Sequence, residues 1–113
     1  MIDAKTLADV RVTPDDAQRA FRKVGEKHDA NKLRFDLVPP GTLGPIVQVL
    51  AYGAKKYTEN GWMEVPDARR RYYAATIRHL TAWWEGEELD PESGLPHLAH
   101  AGANLMFLLG APR

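Results

Sequence analysis

The stretch Asp67–Leu109, DARRRYYAATIRHLTAWWEGEELDPESGLPHLAHAGANLMFLL, decides the fold. Asp67 is a helix-capping residue type, and Tyr73, Ile77, Leu80 and Trp84 then recur at helical spacing until Gly86. These four are the expected buried face of a helix over about 67–86. After a connection of about nine residues, Pro96 suits a new helix start. Leu98, Ala101, Leu105 and Leu109 form the expected buried stripe of that second helix. So short a connection predicts an antiparallel helical hairpin. Ala99, Ala101, Gly102 and Ala103 are small enough to let a neighbouring helix come close.

Upstream, Leu43–Tyr57 predicts another helix, with Pro45 tolerated in its first turn and a stripe of Leu43, Ile46, Val47, Leu50, Ala51, Ala54 and Tyr57. Thr13-Pro14-Asp15-Asp16 reads as a further helix start, followed by Ala17, Ala20, Phe21 and Val24 and a stop at Gly25. Between Glu26 and Gly41 the period changes: Leu33, Phe35 and Leu37 alternate with Arg34 and Asp36, and Pro39-Pro40-Gly41 forbids regular structure. We read this as an extended arm, since no second strand is available to pair with it. The fold expected is all-α: a small helical bundle with an extended N-terminal arm. It forms a single domain, with residues 1–26 as an extension of a 27–109 core.

The 113 residues leave room for one core. Shares of 44% hydrophobic and 27% charged residues are those of an ordinary globular chain. No apolar run is long enough for a membrane span and no signal-peptide core opens the chain, so a cytoplasmic location is expected. The absence of cysteine removes disulfides, thiolate metal sites and cysteine nucleophiles. Fifteen basic residues balance fifteen acidic ones, which argues against a general nucleic-acid binder. The distribution is uneven. Gly53–His79 holds six basic and three acidic residues, whereas Glu85–Glu92 holds five acids and no base. Such a pair of stretches suits an anion held through a cation, or two solvated surfaces of opposite sign.

Matching levels along the hairpin at ~1.5 Å per residue places His79 opposite Ala103 and Asn104. His97, His100 and Asn104 share one face of the last helix, within about 60°. Glu87, Asp90, His97 and His100 would then stand near the loop, with His79 and Asn104 deeper. Imidazoles and carboxylates from facing helices are the usual material of a metal site in a helical bundle. Taken singly, a histidine of this kind can equally be a satisfied core residue, and the acidic loop a solvated surface.

Gly53–Trp62 is a second candidate. Lys55 and Lys56 leave a helix C-terminus, Asn60-Gly61 is a turn, and Trp62 suits either a core plug or a stacking face for a base. Arg78 beside His79 could grip a phosphate in bidentate fashion or join a surface ion pair. Lys32 and Arg34 are weaker candidates for the same anion.

In that order along the chain stand Asn31-Lys-Leu-Arg-Phe-Asp-Leu-Val-Pro-Pro40, Gly53-Ala-Lys-Lys-Tyr57 with Asn60-Gly-Trp62, Arg78-His79-Leu80, and Gly86-Glu-Glu-Leu-Asp90-Pro-Glu-Ser-Gly94-Leu-Pro-His97-Leu-Ala-His100. Together they resemble the phage dATP/dGTP diphosphohydrolase family, which is similar to the MazG-like all-α nucleotide pyrophosphohydrolases. The resemblance covers roughly Lys27 to Leu109. It implies a nucleoside triphosphate pyrophosphohydrolase that cleaves dGTP or dATP to the monophosphate and pyrophosphate. It also implies a role in phages that replace adenine with 2-aminoadenine, where the reaction supplies dGMP. The broader fold carries Glu-x-x-Glu on one helix and Glu-x-x-Asp on the next; Glu85-Gly-Glu-Glu88 fits the first, but His97-Leu-Ala-His100 stands where the second would be. Imidazole ligands would move the preference from Mg²⁺ toward Mn²⁺, Co²⁺ or Zn²⁺; alternatively these histidines contact substrate and the metal sits wholly on acids.

The expected cofactor is therefore a divalent metal, Mg²⁺, Mn²⁺ or Co²⁺, held by Glu85, Glu87, Glu88, Asp90, His97 and His100. Glu87, His79 and Arg78 are expected in catalysis. Lys32, Arg34, Lys55, Lys56, Tyr57, Asn60, Trp62 and Asn104 are expected on a purine deoxynucleoside triphosphate. Apolar faces in so short a chain predict a homo-oligomer, dimer or tetramer, with neither nucleic acid nor membrane as partner. The alternatives are another metal-dependent nucleotide phosphohydrolase, or a helical nucleotide-binding module without catalysis.

Overall fold

A computed structural model describes residues 27–111; the helix expected over Thr13–Gly25 lies outside them. The chain divides into two compact units, Met1–Leu37 and Val38–Arg113. In the described part of the first unit, the alternation at Leu33, Phe35 and Leu37 is not an extended segment. Phe35–Leu37 is a 3-10 turn, with the Leu37 N–H donating to Arg34 O at 3.0 Å and Arg34 bonded through two nitrogens to Asp36. Three alternating residues are too few to specify a strand against so local a side-chain pair.

The second unit carries three α-helices, α1 (Leu43–Lys56), α2 (Ala68–Trp84) and α3 (His97–Gly110), with a 3-10 turn at Gly61–Glu64. Each boundary falls within one or two residues of its expected place. No helix among the described residues is long and apolar enough to cross a membrane. Asp67 holds the N-cap position of α2, but its carboxylate turns to Arg70 instead of capping the helix.

The centre of this unit is α3, which packs against both α2 and α1. Residues two apart on a helix point nearly opposite ways, at about 200°. Ala99 and Ala103 therefore form one buried side, against Val49 with Ile46 and Leu50 of α1, while His97 and Ala101 form the other. The small-residue stretch does what it suggests. A Cβ on Gly102 would lie 2.8 Å from Ile46 Cδ1, so hydrogen at that position is what lets α1 seat.

The faces differ from the expectation. Tyr73, Ile77, Leu80 and Trp84 are exposed, and the stripe turned inward is its neighbour: Tyr72, Thr76 and His79. On α3, Leu98, Leu105 and Leu109 are exposed and only Ala101 of the expected four is buried. On α1, Ile46 and Leu50 pack as expected, Leu43, Val47 and Tyr57 do not, and Val49 is the buried residue. The reason is common to α2 and α3. Their contact sets Tyr72 against Phe107 and His79 against His97 and His100, with Thr76 buried between them along α2, and the most apolar stripe of each helix is left on the outside of the single chain.

Candidate metal centre

The site grows out of the way α2 ends. Gly86 adopts φ +105°, its N–H donates to Trp83 O, and the Glu87 N–H reaches back to Ala82 O. This is a Schellman stop, and it delivers Glu87 just past the glycine that ends the helix. The connection then folds on itself as a narrow ribbon. Leu89 and Pro96 pair as an isolated antiparallel bridge, the Asp90 N–H donates to Leu95 O at 2.8 Å, and the His97 N–H donates to Glu88 O at 2.9 Å. Gly94, at φ +73°, makes the turn, where a residue with a Cβ would be strained. Glu87, Asp90 and Ser93 are thereby held against the first turn of α3.

Three histidines meet there. His79 Nδ1 lies 2.8 Å from His97 Nδ1, and the rings of His79 and His100 stack at 4.5 Å with planes 6° apart. His97 Nε2 is 2.6 Å from Glu87 Oε1, and His100 Nε2 is 2.7 Å from Ser93 Oγ. In neutral His97 the carboxylate takes the Nε2–H, which turns the Nδ1 lone pair toward His79. One candidate ligand atom from each of His79, Asp90 and His97 falls within 4.8 Å of the others.

Electrostatics favour the neutral ring of His79 and the ionised carboxyl of Asp90, the forms a cation needs. Burial holds His79 below the ordinary imidazole range, and His100 and His97 beside it push the same way. Burial likewise lowers His100, against the opposing pull of Asp90. For Asp90, burial opposes ionisation but is outweighed by hydrogen bonds from Ser93 and by the two imidazoles, so its carboxyl is held below the usual range. Neutral imidazoles with an ionised carboxylate make a ligand set, and a carboxylate on the far nitrogen of a ligating histidine is its usual support.

The expected site residues divide accordingly. Asp90 and His97 stand in the trio; His79, expected in catalysis, joins them as a candidate ligand; Glu87 and His100 each touch one member. Glu85 and Glu88 are exposed and outside it. The hairpin register differs from the level-matching. His79 bonds to His97 and stacks on His100, and no hydrogen bond joins it to half-buried Asn104. The ribbon brings α3 back beside the last turns of α2, displacing the register by about five residues or ~7 Å.

Lys56 pairs with Glu92 of the ribbon and lies 5.8 Å from the Tyr52 ring and 5.2 Å from the Tyr57 ring. That ties the end of α1 to the site loop. Lys55, Tyr57 and Arg78 are exposed, Arg78 on α2 beside His79. Asn60 takes the left-handed conformation, φ 58°, at the start of the 3-10 turn. Trp62 has the core-plug role of the two its sequence leaves open. Its ring stacks on Phe107 at 5.2 Å, its carbonyl accepts from Tyr72, and Gly110 lies against it. Lys32 and Arg34 belong to the first unit, where both are exposed and line a shallow pocket with Asp29 and Asp36.

Ser93, Glu92 and Tyr52 were not among the expected residues. Tyr52 sets its ring edge-on to His100 at 6.4 Å and its hydroxyl toward Glu92. The signal for Ser93 was local: in Asp90-Pro91-Glu92-Ser93-Gly94, an aspartate three residues before a serine in a glycine-ended turn accepts from that residue's N–H.

Residues 22–112 match the family model described as dATP/dGTP diphosphohydrolase, N-terminal. The chain is 33% identical over 84 residues to a protein of Salmonella phage PMBT28 named dATP/dGTP diphosphohydrolase. That alignment covers 74% of this chain but 28% of the relative, so the chain spans under a third of its length. No solved structure matches.

Proposed function

Since this chain belongs to the dATP/dGTP diphosphohydrolase family by its match to the N-terminal model, we propose that it hydrolyses dGTP or dATP to the monophosphate and pyrophosphate, using a divalent cation at His79, Asp90 and His97. The observation that carries this reading is the trio itself: two imidazoles and a carboxylate with ligand atoms inside 4.8 Å, lying within the family-matched region. The donor set fits a cation. His97 is buried with its far nitrogen on Glu87, and a mixed nitrogen and oxygen set suits Mn²⁺ or Co²⁺ at least as well as Mg²⁺. Bound there, such a cation would neutralise phosphate charge and lower the pKa of a nearby water.

The remaining work falls to the chain. Glu87 keeps His97 oriented with one carboxylate oxygen, and its side chain is half exposed, so the other oxygen can take the proton of the attacking water. Arg78, exposed on the helix that carries His79, suits a bidentate hold on the phosphates, and Lys55 supplies further positive charge from the end of α1, where Lys56 is already paired with Glu92. In a phage that replaces adenine with 2-aminoadenine, the same reaction would supply dGMP and shrink the dGTP pool. The test is to incubate the purified protein with each dNTP and Mg²⁺, Mn²⁺ or Co²⁺ and separate the products by chromatography. Pyrophosphate and dGMP or dAMP are expected only with metal. Release of triphosphate or inorganic phosphate instead would reject the assigned reaction.

We also propose a homo-oligomer. Tyr73, Ile77, Leu80 and Trp84 line one face of α2 and Leu98, Leu105 and Leu109 one face of α3, all exposed, with Trp84 at 79% and Leu109 at 88%. Apolar stripes of this size suit a partner surface. Light scattering on the eluting protein should give a dimer or tetramer, and Trp84→Glu with Leu109→Glu should shift it toward monomer. A wild-type monomer at ~0.1 mM would reject the assembly.

A further inference from the structure

We infer that Ser93 is the positioning residue of the site, setting both the carboxylate of Asp90 and the ring of His100. Its backbone N–H donates to Asp90 Oδ2 at 2.9 Å, and its hydroxyl lies 2.7 Å from His100 Nε2. The hydroxyl is itself held, because the Leu95 N–H donates to Ser93 Oγ at 3.1 Å. A serine oxygen has two acceptor positions and one proton. One acceptor position goes to Leu95, and Asp90 Oδ2 already accepts the Ser93 N–H, so the proton is assigned to His100 Nε2, 2.7 Å away, in preference to the Asp90 carboxylate. His100 Nε2 is then an acceptor and its Nδ1 carries the hydrogen.

The consequence reaches the cation trio by contact. The His100 ring lies flat on His79, so fixing the plane of His100 fixes one wall against which His79 is set. Asp90 is constrained separately, its Oδ2 occupied by the Ser93 N–H, which leaves Oδ1 as the oxygen for a ligand. One residue, through its N–H on one side and its hydroxyl on the other, therefore orders groups on both sides of the site, from a turn that Gly94 and the Asp90–Leu95 pairing hold in place. A hydroxyl so placed also removes His100 Nε2 from the available donors, so that His100 supports the trio without joining it. This inference rests on the metal-site reading above for its functional effect and on the hydrogen bonds alone for its geometry.

The two can fail separately, and the experiment uses the full chain. Ser93→Ala removes the hydroxyl but keeps the backbone N–H on Asp90; Ser93→Thr restores a hydroxyl. Ring ¹⁵N spectra of the metal-free proteins should show His100 as the Nδ1–H tautomer in the wild type. That pattern should be lost in the alanine variant and recovered with threonine. Mn²⁺ affinity, measured by calorimetry, should fall about tenfold in Ser93→Ala, the size usual for an outer-shell group, and recover in Ser93→Thr. In turnover the loss should appear in kcat with KM nearly unchanged. Identical His100 ring signals in the wild type and Ser93→Ala would overturn the positioning role, whatever the activity. Equal Mn²⁺ affinity in the two, with a changed tautomer, would overturn its reach to the trio. A wild type that hydrolyses no dNTP would reject the proposed reaction while leaving the ring spectra to decide the role of Ser93.

Discussion

Replacing His97 with alanine should cost the protein about 100-fold or more in Mn²⁺ affinity and a comparable factor in turnover, the largest functional loss of any single side chain. His97 uses both ring nitrogens, one toward His79 and one on Glu87, and its side chain is almost fully buried. Alanine would remove one of the three candidate ligands, release Glu87 and leave His79 facing a void. Asp90→Asn is the companion variant. It keeps an oxygen to accept the Ser93 N–H but loses the charge, so metal affinity should fall while the loop stays folded. Calorimetric Mn²⁺ titration and initial rates on dGTP measure both. Helical circular dichroism separates loss of the site from loss of the fold. A His97→Ala protein that binds Mn²⁺ and turns over like the wild type would remove the trio from consideration.

The largest stability effect is expected at Gly102. Its absent side chain is the space that Ile46 fills, since a Cβ there would sit 2.8 Å from Ile46 Cδ1 and 3.1 Å from Cγ1. Gly102→Leu must drive α1 away from α3 or force Ile46 off its rotamer, overpacking that costs roughly 1–3 kcal/mol. In a domain of this size that corresponds to a melting temperature lower by about 5–20 °C. Gly102→Ala should be milder. The methyl meets the side chain of Ile46 alone, chiefly its movable Cδ1 end, and alanine gains up to ~1 kcal/mol over glycine in a helix interior. Adding Ile46→Ala to Gly102→Leu should restore part of the loss, a coupling that adjoining residues show and distant ones do not. Thermal melts of the four proteins test this. Equal melting temperatures for Gly102→Leu and the wild type would mean that α1 does not seat on this part of α3.

Helix positions were legible because caps and breakers act locally: Pro45, Asp67, Gly86 and Pro96 mark ends that the structure places within a residue or two. Helix faces were not. Counting apolar residues picks the stripe with most carbon, Tyr73 to Trp84 on α2, but the stripe that packs is the one whose small and polar groups fit α3. Helix α3, packed on two sides through alanines, has no single apolar face to find. The structure still gathers His79, His97, His100, Glu87 and Asp90, because the helix end and the short connection that bring them together are marked locally in the chain. Their exact pairing did not survive, since the register depends on a ribbon closed by backbone hydrogen bonds, which no side-chain period records. Phe35–Leu37 failed for a related reason: a pattern of three alternating residues cannot distinguish a strand from a turn.

The most distant pair in the trio, His79 and His97, is separated by only 18 residues along the chain. Loop closure over so short a span is entropically mild, and contacts this local tend to form early as a chain folds. The candidate centre should therefore assemble with the α2–α3 hairpin, before α1 has docked. Local opening of α1 would then expose Ala99 and Ala103 while leaving the imidazoles in register. In hydrogen exchange, amides of α1 should be the first of the three helices to lose protection. An added cation should slow exchange chiefly in the hairpin, so that the centre acts as a clasp on the element that folds first.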